Sequence, residues 1–277
     1  MGTTIAINGT NIYHEVRGAG PPLLFVTGAS GDAGTWQLVA EPLADTFTVI
    51  TYDRRANSRS PRPAGWTATS VPEQADDAAA LLRALDLGPA IVYGNSSGAM
   101  FTCELVIRHP GSVQRAFVHE PPLLPVVPNG DDVAAELGRV IDEAMAAGGP
   151  RAVMERFLSA LAGVPLDDLP TDLRERLLGN AGVFLDVELP GQSPYVPDPA
   201  SLGATGVPVQ PISGVENRES YLHHAARWLA DGLGVELLEI DGGHVPQYTH
   251  PAAVVDVLRP HSRVGMAEGE GRIGSSG

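Results

Sequence analysis

Residues 90–99 read Ala-Ile-Val-Tyr-Gly-Asn-Ser-Ser-Gly-Ala, an apolar run that ends in Gly-x-Ser-x-Gly and continues as a helical pattern. A strand that turns directly into a helix at such a serine exposes the hydroxyl above a sheet, as a nucleophile requires. Side chains at 94 or 98 would collide with the turn, which explains the glycines there. The N–H of Ser97 then opens a helix, where partial positive charge can meet a developing oxyanion. Ser96 is the expected nucleophile, and its chemistry needs a base, an orienting acid and a second oxyanion donor.

The base is expected at His244. It follows the last apolar strand in Gly242-Gly243-His244 and so falls at the same sheet edge as Ser96. The other seven histidines fit less well. His14 lies in a strand, His109 ends a helix, His223 and His224 ride a helix, and His261 borders the tail. His250 precedes Pro251 and suggests a capping role. His119 is a candidate neighbour of the site, although strand alternation turns it away if Glu120 faces in. The second donor is expected in the loop after the third strand, from the N–H of Ala29 with Gly28 as the adjacent alternative. Trp36 either lines the pocket or packs in the core.

In sheets of this kind the acid often ends a Gly-x-x-Asp stretch after the seventh strand. Here that stretch reads Gly214-Val215-Glu216-Asn217, and a neutral amide cannot stabilise an imidazolium as a carboxylate does. Glu120, at the end of the strand after the Ser96 helix, is favoured on mutual reach. Glu216 and Asp241 are the alternatives. The charged stretch Asp53–Ser60 reads as a salt-bridged loop without a catalytic role.

These residues need a frame. Thr3–Ile7 and Ile12–Arg17 read as a hairpin about Asn8-Gly9. Strands are expected at 22–27, 46–52, 90–93, 113–119, 207–213 and 235–240, with helices at 71–87, 100–109, 218–233 and 252–258. Such alternation predicts an α/β fold, a mainly parallel sheet with helices on both faces. Residues 1–122 and 205–262 form its core. Between them, 123–204 carries helical runs at 133–147, 151–161 and 173–178 and reads as an inserted cap. The polar, glycine-rich tail 263–277 is expected to be disordered.

The 277 residues carry a net charge of −15, and all 18 basic residues are arginine. Schiff-base and P-loop lysine chemistry therefore have no lysine to use. The acidic balance argues against nucleic acid or anionic membrane as partners. Neither a signal-like leader nor a membrane-length apolar run is present, which points to the cytoplasm. The single cysteine, Cys103, excludes an intrachain disulfide and reads as a packing residue. No metal or cofactor is expected, and the sequence is silent on oligomeric state.

With these residues in view, the chain resembles the α/β-hydrolase superfamily over nearly all of residues 1–262. The Thr27-Gly28-Ala29…Trp36 loop, the Asp53–Ser60 loop, the Ser96 turn, the helical insertion and Gly242-Gly243-His244 carry the likeness. More narrowly, Gly94-Asn95-Ser96-Ser97-Gly98-Ala99, His119-Glu120-x-Pro and His244-x-Pro-x-Tyr-x-His-Pro look like the zearalenone lactonase branch. So does the missing aspartate of the Gly214 stretch. That resemblance implies a glutamate acid after the sixth strand, at the position of Glu120. It implies a serine hydrolase for an ester or lactone, with C–C or thioester hydrolysis, or non-hydrolytic ligand binding, as rivals. The cap differs from that branch. Its Met154, Phe157, Leu161, Phe184 and Tyr195 suggest a small, mostly apolar substrate.

Overall fold

The structure, a computed structural model, describes residues 2–162, 166–193 and 195–263. The tail from 264 onward and the Leu161 side chain lie outside the described residues. Eight strands form one sheet: β1 (Thr3–Ile7), β2 (Thr10–Arg17), β3 (Pro22–Val26), β4 (Thr48–Tyr52), β5 (Ala90–Asn95), β6 (Val113–His119), β7 (Val209–Gly214) and β8 (Leu238–Ile240). Their order is β1-β2-β4-β3-β5-β6-β7-β8. β2 runs antiparallel to β1 and β4, and every other pairing is parallel. Asn8 and Gly9 both take positive φ, 40° and 74°, as the tight hairpin between β1 and β2 demands.

Side chains alternate across β3 and fill a separate core on each face of the sheet. Leu24 and Val26 join Val92, Val118 and the helices α2 (Val71–Leu85) and α3 (Ser97–Arg108). Leu23 and Phe25 join Tyr93, Phe117, α1 (Gln37–Leu43) and the later helix at 251–258. Each such Leu, Val or Phe, removed from water, contributes about 2 kcal/mol. Trp36 belongs to this second core, stacked on Phe25 with ring centroids 4.6 Å apart. Cys103 is fully buried in the first. α2 is capped by Ser70 and stops earlier than expected, with Asp86 rather than Gly88 taking the left-handed conformation.

Between β6 and β7 the chain is helical. A long run, α4 (Gly130–Ala162), is broken at Gly148-Gly149, where Gly149 has φ 71° ahead of Pro150. α5 (Thr171–Gly179), α6 (Ala181–Val183), a π-helical turn Phe184–Glu188, α7 (Leu189–Gln192) and α8 (Pro199–Ala204) follow. Polar side chains tie this segment to the sheet's loops: Arg176 reaches Asp32 at 2.5 Å, and Asn180 Nδ2 donates to the Ser30 carbonyl at 2.8 Å. Alternation resumes with α9 (Tyr221–Leu233), α10 (Pro246–Thr249) and α11 (Pro251–Leu258).

Candidate active site

Ser96 sits between β5 and α3 at φ 57°, ψ −128°, a conformation an L-residue reaches only under strain. The two flanking glycines are required by contact as well as by spacing. A Cβ on Gly98 would lie 2.1 Å from the Val26 carbonyl oxygen, and one on Gly94 would lie 2.3 Å from Thr102 Oγ1. The loop after β3 presses on the same turn, since a Cβ on Gly28 would stand 2.7 Å from Ser96 Cβ. Among the described residues, no acceptor takes the N–H of Ala29 or of Ser97. Both residues line the large cavity beside Ser96.

His244 follows β8 and is pinned from β5, where Asn95 Nδ2 donates to its carbonyl oxygen at 2.7 Å. Its Nδ1 lies 2.8 Å from Glu120 Oε2. A carboxylate partner there fixes the proton on Nδ1 and leaves Nε2 as the basic nitrogen. No hydrogen bond joins Ser96 Oγ to His244 among the described residues. The two side chains instead meet as walls of shared cavities. Such contacts commonly tighten only when substrate aligns them.

Glu120 is fully buried, and each of its oxygens accepts two hydrogen bonds. Oε1 takes Ser213 Oγ at 2.8 Å and the Gly214 N–H at 2.9 Å. Oε2 takes His244 Nδ1 and, at 2.7 Å, Asn217 Nδ2. Burial pushes this carboxyl upward, but the His244 hydrogen bond, the neighbouring imidazoles and the Gly214 N–H outweigh it and hold it at about 2. Glu216 and Asp241, the sequence alternatives, are exposed. Asn217, where an aspartate is often found, thus donates to the buried carboxylate of Glu120. Sequence spacing carries no sign of that role, nor of Asn95 or Ser213.

The expectation for His119 needs correction. Strand alternation turns it away, yet it is fully buried with Nε2 3.9 Å from Glu120 Oε1. Alternation fails because Glu120 lies past the end of β6 with φ 48°, which rotates its side chain back beside its neighbour. Burial lowers His119 to about 4, so it is neutral at ordinary pH, and its Nδ1 lies 2.6 Å from the Tyr93 hydroxyl. His250 occupies a helix start without capping it by its side chain, and its ring packs beside Gly242. His223 Nδ1 approaches Ser213 Oγ at 3.1 Å, behind Glu120. The Asp53–Ser60 loop is salt-bridged through Asp53 and Arg59, as expected, but Arg54 leaves that loop to pair with Glu188.

Two cavities meet at Ser96, Ala29, Phe157 and His244. The larger, about 310 Å³, runs beneath α4 among Met100, Leu137, Ile141, Val153 and Phe184, and no Asp, Glu or Arg among the described residues lines it. The smaller, about 40 Å³, lies toward Gly31, Gln247 and Tyr248.

The sequence comparisons agree with this fold. The model of the alpha/beta hydrolase fold family matches residues 21–185. The chain belongs to the alpha/beta hydrolase family. The uncharacterized hydrolase YraK of Bacillus subtilis strain 168 is 35% identical over 87% of this hydrolase and 88% of its own length. Est816, described as an N-acyl homoserine lactone degrading enzyme, is 26% identical with a TM-score of 0.65, covering 93% of this hydrolase and 99% of Est816. A thermophilic esterase from Thermogutta terrifontis shares the fold at TM-score 0.73 and 22% identity, covering 95% and 98% of the two chains. Among the described residues, no helix is long and apolar enough to cross a membrane.

Proposed function

We propose that this hydrolase cleaves neutral carboxylic esters or lactones with a bulky apolar portion, through a covalent acyl-serine. The observation that carries the reading is the locked His244–Glu120 pair, 2.8 Å long, in a cavity wall shared with Ser96. Its structural neighbours include an esterase and a lactone-degrading enzyme, which supports ester chemistry.

The steps follow from the groups present. Ser96 Oγ attacks the carbonyl carbon while its proton passes to His244 Nε2, and Glu120 stabilises the imidazolium formed. The N–H groups of Ala29 and Ser97 receive the oxyanion, with Gly28 giving the loop its close approach to Ser96. His244 then returns the proton to the departing alkoxide. Water, deprotonated in turn by His244, releases the acid and restores Ser96.

The larger cavity selects the substrate. Its apolar wall takes a hydrocarbon portion, and a carboxylate or ammonium there would lose hydration without a partner. Helices α4 to α7 act as the cap over it. The test is a fluorophosphonate probe followed by a panel of esters, lactones and thioesters. Labelling lost in Ser96→Ala, with turnover highest on neutral apolar esters or lactones, is the expected result. Labelling unchanged in Ser96→Ala overturns the nucleophile, and turnover confined to thioesters overturns the substrate class.

A further inference from the structure

Arg54 and Glu188 are both fully buried, one on the loop after β4 and the other in the helical segment 134 positions later. The guanidinium makes a two-pronged contact, Nη1 to Oε1 at 2.5 Å and Nη2 to Oε2 at 2.9 Å, and it lies 5.2 Å from the centre of the Phe101 ring. Asn57 Nδ2 donates to the same carboxylate at 2.7 Å, and Gln74 Oε1 lies 3.4 Å from Nη1. Burying two charges this completely costs much of what their attraction returns, and apolar residues of similar volume commonly hold such a place as well. The remaining contact indicates what the charges accomplish. Arg54 Nη2 also donates to the Gly28 carbonyl oxygen at 3.0 Å.

That carbonyl belongs to the same peptide unit as the Ala29 N–H. In a trans peptide the two point in opposite directions, so a guanidinium that fixes one fixes the other. The peptide is also confined by Ser96, against which Gly28 has no room for a Cβ. A charged donor on the carbonyl further polarises the unit and strengthens its N–H as a donor. We infer that Arg54, gripped by Glu188, is a positioning residue that aims and strengthens the Ala29 N–H for the oxyanion. The inference rests on the ester-hydrolysis reading above, because only an oxyanion gives that N–H its task. It gives a residue of the helical insertion a part in transition-state binding, although Glu188 touches no reacting atom.

The experiment compares wild type with R54M/E188M, which removes both charges together so that neither is stranded, and with Arg54→Lys and Glu188→Gln. Each is measured for melting temperature, for kcat and KM on an activated apolar ester, and for inhibition by an alkyl trifluoromethyl ketone. That ketone forms a hemiketal oxyanion on the serine. In a folded R54M/E188M, kcat falls roughly 10- to 100-fold with KM within about threefold. Ketone affinity falls by the same factor as kcat/KM, and Arg54→Lys recovers part of both. Unchanged kcat and ketone affinity in that variant would overturn the inference and leave the pair a structural tether. Should R54M/E188M not fold, Glu188→Gln decides by the same split: kcat lost at constant KM supports the role, and kcat retained overturns it. A wild-type enzyme that neither binds the ketone nor labels at Ser96 would instead refute the hydrolytic reading itself.

Discussion

Asn217 Nδ2 and His244 Nδ1 converge on a single oxygen, Glu120 Oε2, at 2.7 and 2.8 Å. The amide ends the Gly214-x-x-Asn217 stretch, where the fold often carries an aspartate, and it donates to the buried Glu120 carboxylate. On the proposed mechanism the acid stands after β6, and Asn217 is part of its support.

Reversing that exchange has a definite expected outcome. Asn217→Asp sets a second carboxylate against Glu120, and like charges at this range raise one of the two carboxyl groups. We expect kcat/KM to fall roughly tenfold or more at neutral pH, with the acid limb of the pH profile displaced upward. Glu120→Gln alone costs about 10²- to 10⁴-fold in kcat. The double variant E120Q/N217D regains part of that loss, because the introduced carboxylate then offers His244 an oxygen near the original one. Glu216→Gln, on an exposed side chain, leaves steady-state kinetics unchanged.

Acid sensitivity of the fold follows from two buried groups of the same network. His119 sits at about 4 in the native state against an ordinary 6.5, so below pH 6.5 the unfolded chain gains a proton that the native one refuses. Stability therefore drops as pH falls from 6.5 to about 4, by roughly 3 kcal/mol. Glu120, held at about 2 against 4.5, contributes stability present above pH 4.5 and lost as pH falls toward 2. Urea unfolding of wild type and His119→Gln at about pH 7, 5.5 and 4.5 checks the first window. The variant's stability changes less across it.

The contact between the β3 loop and the serine turn tolerates no methyl group. Gly28→Ala forces a Cβ to within 2.7 Å of Ser96 Cβ and 2.9 Å of the Asn95 carbonyl oxygen. We expect kcat to fall about 100-fold, through displacement of Ser96 or the Ala29 N–H by a fraction of an ångström. Fluorophosphonate labelling slows in parallel, and thermal denaturation shows the melting point lowered by several degrees.

Substrate length is readable by filling the larger cavity. Gly138, in α4, lines it with nothing within 4 Å of where a Cβ would stand. Gly138→Leu gains helix propensity of about 1 kcal/mol and occupies space that the proposed substrate would fill. On a series of p-nitrophenyl esters, long-chain kcat/KM falls at least about tenfold while the acetate changes less than about twofold.

The sheet is legible in the sequence because its signals are local. The Asn8-Gly9 turn, the apolar run before Ser96 and the strand Val113–His119 are each contained in a few consecutive residues. Ser96 and His244 can be named because strand ends at one sheet edge are brought together by topology. Partners that depend on packing leave no such trace. Asn217 is 97 positions from Glu120, and Glu188 is 134 from Arg54. His119 is misplaced by alternation because a positive φ at Glu120 breaks the period on which alternation depends. The π-helical turn at 184–188, which delivers Glu188, departs from ordinary helical spacing as well.

The brace on the Gly28 carbonyl also bears on how the protein is made. During synthesis the β3 loop emerges well before Glu188, and His244 follows near the end of the core. A ribosome-bound chain that has passed Ser96 therefore carries its hydroxyl before Glu188 or His244 has been made. On the proposed mechanism a fragment ending inside the insertion lacks His244 and so has no base for Ser96. On that mechanism competence waits for the last parallel strands, whose long-range contacts form late in folding.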